Sequence, residues 1–113
     1  MVWYKYLYMD ENIIRKKEKI KWKICHNAGM LDIFVITLSQ NDSGLLEIIS
    51  TIELMQKTYP KKELFIVGLA KGYETARILA CNIIMEVYQQ TGDFHVKTYL
   101  LQKHYADKKQ VCL

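Results

Sequence analysis

Residues 64–70 of this chain read Leu-Phe-Ile-Val-Gly-Leu-Ala, and Lys71-Gly72-Tyr73 follows directly. The first seven residues are apolar at nearly every position, which is typical of a strand buried on both faces. Gly72 then predicts a tight turn, and the apolar spacing from Tyr73 to Gln90 predicts a helix. A buried strand followed at once by a helix is half of a parallel α/β unit, so this stretch predicts a sheet covered by helices.

The sequence on either side continues this alternation. Further strands are predicted at residues 2–9, 32–38 and 94–100, and further helices at 13–28 and 45–58. The predicted order is therefore β-α-β-α-β-α-β, in a single α/β domain over residues 1–101 with a frayed tail at 102–113. We expect a four-stranded, mostly parallel sheet with helices on both faces.

Two features of this architecture stay open. Right-handed crossovers allow the strand order 1-3-2-4, which we prefer because it covers both faces, and the order 1-2-3-4, which would leave one face to be buried in a dimer. The segment 19–25 is also ambiguous. Ile20 and Ile24 fit a helical stripe with Ile13, but Ile20-Lys-Trp-Lys-Ile24 also alternates with the period of a strand.

Composition limits the class of protein. Half of the 113 residues are apolar, yet no apolar run approaches the roughly 20 residues of a membrane-spanning helix. The N-terminal residues lack the features of a signal peptide. The three cysteines are odd in number and form no CxxC pair, which favours reduced thiols. We therefore predict a cytoplasmic protein without a membrane partner.

The preferred strand order predicts a ligand site. It places a crevice beyond the carboxyl ends of the two central strands, where α/β proteins usually bind ligands. The start of the third helix would add its positive end there, so the crevice suits a phosphate-containing small molecule or a nucleotide. Neither nucleotide fingerprint, GxGxxG or GxxxxGK[ST], is present, and a simple turn at Gly72 is the alternative. The candidate residues are Ser39, Asn41, Asp42, Ser43, Lys71, Gly72, Tyr73 and Glu74.

The positive charge of the chain is concentrated in residues 15–23, which carry six basic residues and one acidic residue. Clustered cations neutralise phosphates, so this segment is a candidate nucleic-acid surface. A solvated helix face and an acidic protein partner are the alternatives, and we expect Trp22 to pack against the sheet. The candidate residues of the nucleic-acid surface are Arg15, Lys16, Lys19 and Lys23.

No constellation in the sequence predicts catalysis or a cofactor. Cys25 and His26 are adjacent, so in a helix their side chains would point about 100° apart, which is poor geometry for a nucleophile and its base. The histidines show no metal-ligand spacing. Asp10, Asp42 and Glu74 are explained by their places at helix starts. We therefore predict no catalytic residue, no metal and no cofactor.

The first strand carries Tyr4, Tyr6 and Tyr8 on one side. Aromatic side chains on an edge strand are typical of a partner surface, because an unpaired edge invites pairing with another chain. A homodimer formed through this strand is therefore one interpretation. Packing of the same tyrosines into the core is the other.

Three runs of the sequence together resemble a group of known proteins. They are Lys23-Ile-Cys-His-Asn-Ala-Gly-Met30, DIFVITLS at 32–39 and ELFIVGLAKGYETA at 63–76. They are similar to short uncharacterised bacterial proteins of comparable length, particularly from anaerobic Gram-positive bacteria. That resemblance implies a bacterial source and no activity.

The sequence therefore predicts a non-catalytic binding or protein-interaction module. A binder of phosphate-containing molecules is the first alternative, and a nucleic-acid accessory protein is the second.

Overall fold

The computed structural model describes residues 1–30, 32–39, 45–56 and 63–111. Within these residues, the strands are β1 (Val2–Met9), β2 (Ile33–Leu38), β3 (Leu46–Ser50) and β4 (Phe65–Lys71). The helices are α1 (Lys17–Cys25), α2 (Thr51–Leu54), α3 (Tyr73–Thr91) and α4 (Val96–Val111), and a 3-10 turn at Ile14–Lys16 leads into α1. Sheet and helices form one α/β domain, as predicted.

The described strands form one mixed sheet in the order β1-β4-β2-β3. Strand β1 runs parallel to β4, whereas β2 runs antiparallel to both β4 and β3. The prediction of a mostly parallel sheet is wrong. The first three places of the preferred order 1-3-2-4 are confirmed, because the strand at 65–71 lies between those at 2–9 and 33–38, but β3 takes the place of the predicted fourth strand. A short connection is enough to join antiparallel neighbours, and the few residues between β2 and β3 cannot hold the longer crossover that a parallel pair needs.

The segment predicted as a helix at 45–58 begins as a strand. Residues Leu46–Ser50 pair with β2, and of the described residues 45–56 only the four of α2 are helical. The apolar spacing of the segment fits a helix, but Ile48 and Ile49 are β-branched and suit a sheet as well. The Ser50 hydroxyl then accepts a hydrogen bond from the Glu53 N–H at 3.1 Å, which caps α2.

The predicted fourth strand at 94–100 is the start of α4. Val96 and Leu100 are buried one helical turn apart and face the core. The Asp93 carboxylate accepts a hydrogen bond from the His95 N–H at 3.0 Å, which organises the turn before the helix. The helix continues to Val111, where the sequence predicted a frayed tail from residue 102. His104 anchors it, because its Nδ1 accepts a hydrogen bond from the Lys5 N–H at 2.9 Å.

The sheet is buried on both faces, as its apolar strands predict. Val35 on β2 packs in a cluster with residues of α1 and α2, whereas the neighbouring Ile36 packs with α3 and α4. Helices therefore cover both faces, and the ambiguous segment 19–25 is helical. None of the described helices is long and apolar enough to cross a membrane.

Candidate functional site

A cavity of about 700 Å³ opens between α1 and the edge of the sheet where β4 ends and β2 begins. Its lining divides into buried or half-buried apolar residues and basic residues that are exposed or half-buried. The apolar part is formed by Ile13, Ile20, Met30 and Ile33, and the basic part by Lys16, Lys19, Lys23 and Lys71. Asn12, Asp32 and Gly72 complete the lining.

The 3-10 turn and helix α1 together position three of the lysines. Lys16, Lys19 and Lys23 are spaced three and four residues apart, so they lie along one side of the helical segment. Ile20 and Ile24 are buried in the core and orient the helix on the sheet. We call Lys16, Lys19 and Lys23 the lysine row. Its position depends on ordinary amphipathic packing, which buries the isoleucines and leaves the lysines beside the cavity.

The fourth lysine comes from the sheet. Lys71 ends β4 and is paired with Ile33, the first residue of the antiparallel strand β2. The Gly72 N–H donates a hydrogen bond to the Asp32 carbonyl oxygen at 2.6 Å. Gly72 and Asp32 both have positive φ angles, of 88° and 63°, which a glycine adopts freely and an aspartate tolerates better than most residues. This link closes one end of the cavity.

Asp10 connects the two basic segments. Its carboxylate accepts one hydrogen bond from the Lys71 N–H at 3.2 Å and a second from the Asn12 N–H at 3.1 Å. The turn that leads into α1 is thereby attached to the end of β4. These hydrogen bonds fix the position of the backbone before Lys16 relative to the backbone at Lys71, so the fold itself sets the shape of the cavity.

The electrostatics of the cavity are strongly positive. Four lysines line it against the single carboxylate of Asp32. Within the described part of the chain, none of these lysines lies in an ion pair, and the ion pairs found are Arg77 with Glu74 and His95 with Asp93. Adjacent like charges repel one another, so an anion placed among the lysines would be attracted by all four.

The structure separates the predicted ligand residues into two groups. Lys71 and Gly72 line the cavity, but Ser39 follows the opposite end of β2, because β2 and β4 are antiparallel. Its hydroxyl donates a hydrogen bond to Glu47 at 3.4 Å. The predicted crevice between these loops is therefore not formed by Ser39 and Lys71. Its remaining members from the first loop, Asn41, Asp42 and Ser43, lie outside the described residues.

The other predicted residues at the start of α3 have structural partners. The Tyr73 ring contacts the Phe34 ring edge-on, with 5.8 Å between centroids. Glu74 is bound by Arg77 at 2.9 Å, and the hydrogen bond with that guanidinium lowers the pKa of the carboxyl. Neither residue lines the cavity. Within the described residues, no group of three histidine, cysteine or acidic side chains is arranged to hold a metal ion.

The residues predicted to bind nucleic acid lie beside those predicted to bind phosphate. Lys16, Lys19 and Lys23 line the same cavity as Lys71, whereas Arg15 is exposed on the same segment outside the lining. Reasoning from the sequence treated these as two separate sites and missed Asn12 and Asp32. No local sequence pattern indicates that these residues lie together, because their proximity depends on β4 ending beside the start of α1.

Trp22 does not pack against the sheet, so that prediction is wrong. Its side chain is 59% exposed, because Ile20 and Ile24 take the buried positions of α1. The indole stacks on the His26 ring, with centroids 4.0 Å apart and planes 18° apart. His26 is held by a hydrogen bond from its Nδ1–H to the Trp22 carbonyl oxygen at 2.7 Å.

Two of the three tyrosines of β1, Tyr4 and Tyr8, pack on the side of the sheet opposite the cavity, whereas Tyr6 is 44% exposed. Tyr4 is 2% exposed, and the Tyr8 hydroxyl donates a hydrogen bond to the Glu86 carboxylate. Burial raises the pKa of both phenols, and the bond to Glu86 raises that of Tyr8 further. These contacts correspond to the core-packing interpretation for Tyr4 and Tyr8 but not for Tyr6. A homodimer through β1 stays a prediction.

Comparison of the chain with protein-family models, with curated proteins and with solved structures finds no match. The resemblance of its sequence to short bacterial proteins therefore stays a prediction. The chemistry of the lysine-lined cavity is the basis for assigning a function.

Proposed function

We propose that this chain is a non-catalytic binding module whose ligand carries phosphate groups. The support is the cavity of about 700 Å³, within the range of roughly 300–1,000 Å³ that is usual for small-molecule sites. Four lysines converge on it, and no ion pair within the described residues neutralises them. That convergence is the observation that carries the proposal.

Phosphate suits the cavity better than a single carboxylate does. Lysine is a compact point charge and a common phosphate ligand, and four of them favour a ligand with several negative charges. Helix α3 begins directly after Gly72, and the positive end of its dipole lies at the same edge of the sheet. A diphosphate or a nucleotide matches this distribution of charge.

The apolar side of the cavity indicates a ligand with an apolar part as well. Met30 is half-buried and lines the cavity together with the small exposed parts of the core residues Ile13, Ile20 and Ile33. Contact with an inorganic anion alone would leave this surface uncovered, whereas a nucleobase or another ring would cover it. We therefore propose that nucleoside phosphates bind more tightly than inorganic phosphates.

Isothermal titration with pyrophosphate and with ATP tests the proposal. We expect both to bind, and Lys16→Ala combined with Lys71→Ala to weaken binding at least tenfold, because each lost charge contact costs on the order of 1 kcal/mol. Lys97→Ala is the matched control, because Lys97 is exposed on α4 at the opposite face of the sheet. Failure of both anions to bind at low salt would refute a phosphate site.

A thermal-unfolding experiment gives an independent readout. A ligand present at 100 times its dissociation constant stabilises the folded state by about 2.7 kcal/mol. The shift in melting temperature should be lost in the double lysine variant and kept in Lys97→Ala. A shift that survives the loss of Lys16 and Lys71 would place the anion elsewhere.

We also propose the cytoplasm as the compartment of this protein. Two of its cysteines, Cys25 and Cys81, are free and exposed. Exposed thiols persist where the compartment is reducing. Export to an oxidising compartment should lead to thiol oxidation, measured as disulfide-linked species by mass spectrometry.

A further inference from the structure

The exposed stack of Trp22 on His26 has no role in the core of this protein. A tryptophan side chain that is 59% exposed presents a large apolar surface to water, and tryptophan is usually far more buried. The ring is nevertheless held in place, because it stacks on His26 and His26 is hydrogen-bonded to the Trp22 carbonyl. The pair is therefore a pre-oriented aromatic platform.

The platform is continuous with the lysine-lined cavity. Trp22 follows Lys19 by three residues, and His26 follows Lys23 by three, so each ring neighbours a cavity lysine on the helix surface. From Lys16 to Trp22 the helical segment advances by about 9 Å. A ligand that contacts both the cavity and the platform must therefore extend along α1, with charge at one end and a planar ring at the other.

We propose that the ligand is single-stranded nucleic acid, bound by stacking of a base on Trp22 while its phosphates follow the cavity lysines. This inference rests on the proposed function, since it assigns the phosphates to the same cavity. Single strands offer unstacked bases to exposed aromatic side chains, whereas duplexes keep their bases stacked. The basic residues nearby are mostly lysines, which neutralise phosphates without the bidentate base contacts of arginine, so we expect little sequence preference.

An acidic protein is the competing partner for a lysine row. Its carboxylates would pair with the lysines, and a tryptophan can contact a protein as well, but a flat ring held beside a row of cations matches the alternating bases and phosphates of a strand. The platform is the observation that favours nucleic acid. Poly-glutamate of matched charge is therefore the competitor that separates the two partners.

Fluorescence anisotropy with labelled oligodeoxyuridine and oligouridine tests the inference. Trp22→Ala should weaken strand binding by about fivefold to 150-fold, the usual effect of removing one stacking contact, and Trp22→Phe should retain most of the affinity. Comparing the two strands decides whether the 2′-hydroxyl contributes, and a tighter complex with either one supports the proposal. A duplex of the same sequence should bind more weakly than the single strand.

The matched control for the aromatic ring is Tyr88→Ala. Tyr88 is also exposed and stacked, on Phe94 with centroids 4.9 Å apart, but it lies on α3 away from the lysines. This variant should bind strands like the wild type. Strand affinity that is unchanged in Trp22→Ala, or equally reduced in Tyr88→Ala, overturns the inference.

Salt dependence provides the second test. Phosphate contacts with the four cavity lysines predict that the logarithm of the binding constant falls with the logarithm of salt concentration with a slope of about −3. Lys19→Glu should make that slope shallower, and Lys97→Glu should leave it unchanged. Binding that does not depend on salt, or that poly-glutamate abolishes at equal charge concentration, overturns the inference.

Pyrophosphate binding, measured on the same variants, separates this inference from the proposed function. Trp22→Ala should leave pyrophosphate affinity unchanged. If pyrophosphate binds and strands bind no more tightly, the strand proposal fails and the phosphate site stands. If neither binds, both fail.

Discussion

Helices α3 and α4, of 19 and 16 residues, cover one face of the sheet, whereas α1 and α2, of nine and four residues, cover the other. The long helices bury residues such as Ile83 and Leu100 completely. The short helices leave room for the cavity beside Lys71. The comparison teaches that both faces bury a hydrophobic core, while the shorter helices on one face cover less of the sheet and create space for a ligand.

The strongest test of this division is a pair of matched core truncations. Ile83→Ala, on the α3/α4 face, should cost about 2–5 kcal/mol of folding free energy and leave pyrophosphate affinity of the folded protein unchanged. Ile20→Ala, on the α1 face, should cost a similar free energy and also change affinity, because Ile20 borders the cavity. Urea unfolding and calorimetric titration measure the two effects. Reduced affinity in folded Ile83→Ala would refute the division.

Gly68 tests how tightly the α3/α4 face is packed. A β-carbon on this residue would lie 3.2 Å from the Ile36 Cδ1 atom and 3.3 Å from the Tyr8 carbonyl oxygen. We expect Gly68→Ala to cost about 1–3 kcal/mol, because neither the core side chain nor the backbone can move away freely. Urea unfolding measures the cost. Gly68→Ala as stable as the wild type would show a looser face than the structure implies.

Alkaline pH should weaken the same face through Tyr8. Burial and the hydrogen bond to Glu86 raise the pKa of its phenol, so the folded state favours the neutral form. This contribution is fully present below the unfolded value of about 10 and is lost as the pH rises above it. Tyr8→Phe should cost about 1 kcal/mol at pH 8 and show a smaller further loss at alkaline pH. Unfolding curves of both proteins that fall in parallel above pH 10 would contradict this assignment.

Among these variants, we expect the smallest change in folding free energy from a substitution in the lysine row. Lys23→Glu changes a side chain that lies in no ion pair within the described residues, so folding free energy should change by no more than about 0.5 kcal/mol. Pyrophosphate affinity should nevertheless fall, since the new carboxylate repels the anion. A variant that loses much stability, or none of its affinity, would mean that Lys23 serves the fold rather than the ligand.

The elements that were predicted correctly are those with one dominant pattern. The stretch from Leu64 to Ala70 is apolar on both faces and is a buried strand, and the stripe from Tyr73 onward is helix α3. Two segments were assigned wrongly because their patterns fit either structure. Residues 46–50 carry helical spacing in β-branched side chains, and residues 94–100 mix polar and apolar positions as an edge strand does.

The candidate site was predicted in pieces. The sequence indicated a phosphate-binding turn at Lys71 and Gly72. It separately indicated a cationic surface in residues 15–23. Their common cavity was not predicted, because neighbours in space need not be neighbours in sequence. Ser39 was expected beside Lys71 but lies at the other end of β2, since the direction of β2 decides which end of the sheet it reaches.

The sequence alone determined which stretches are buried, where the turns lie and where the positive charge is concentrated, because these depend on local composition and spacing. Only the tertiary structure decided that β2 runs against β4, that Trp22 faces water and that four lysines surround one cavity. Strand direction depends on which long-range pairs of backbone hydrogen bonds form together, and a local pattern does not encode that choice.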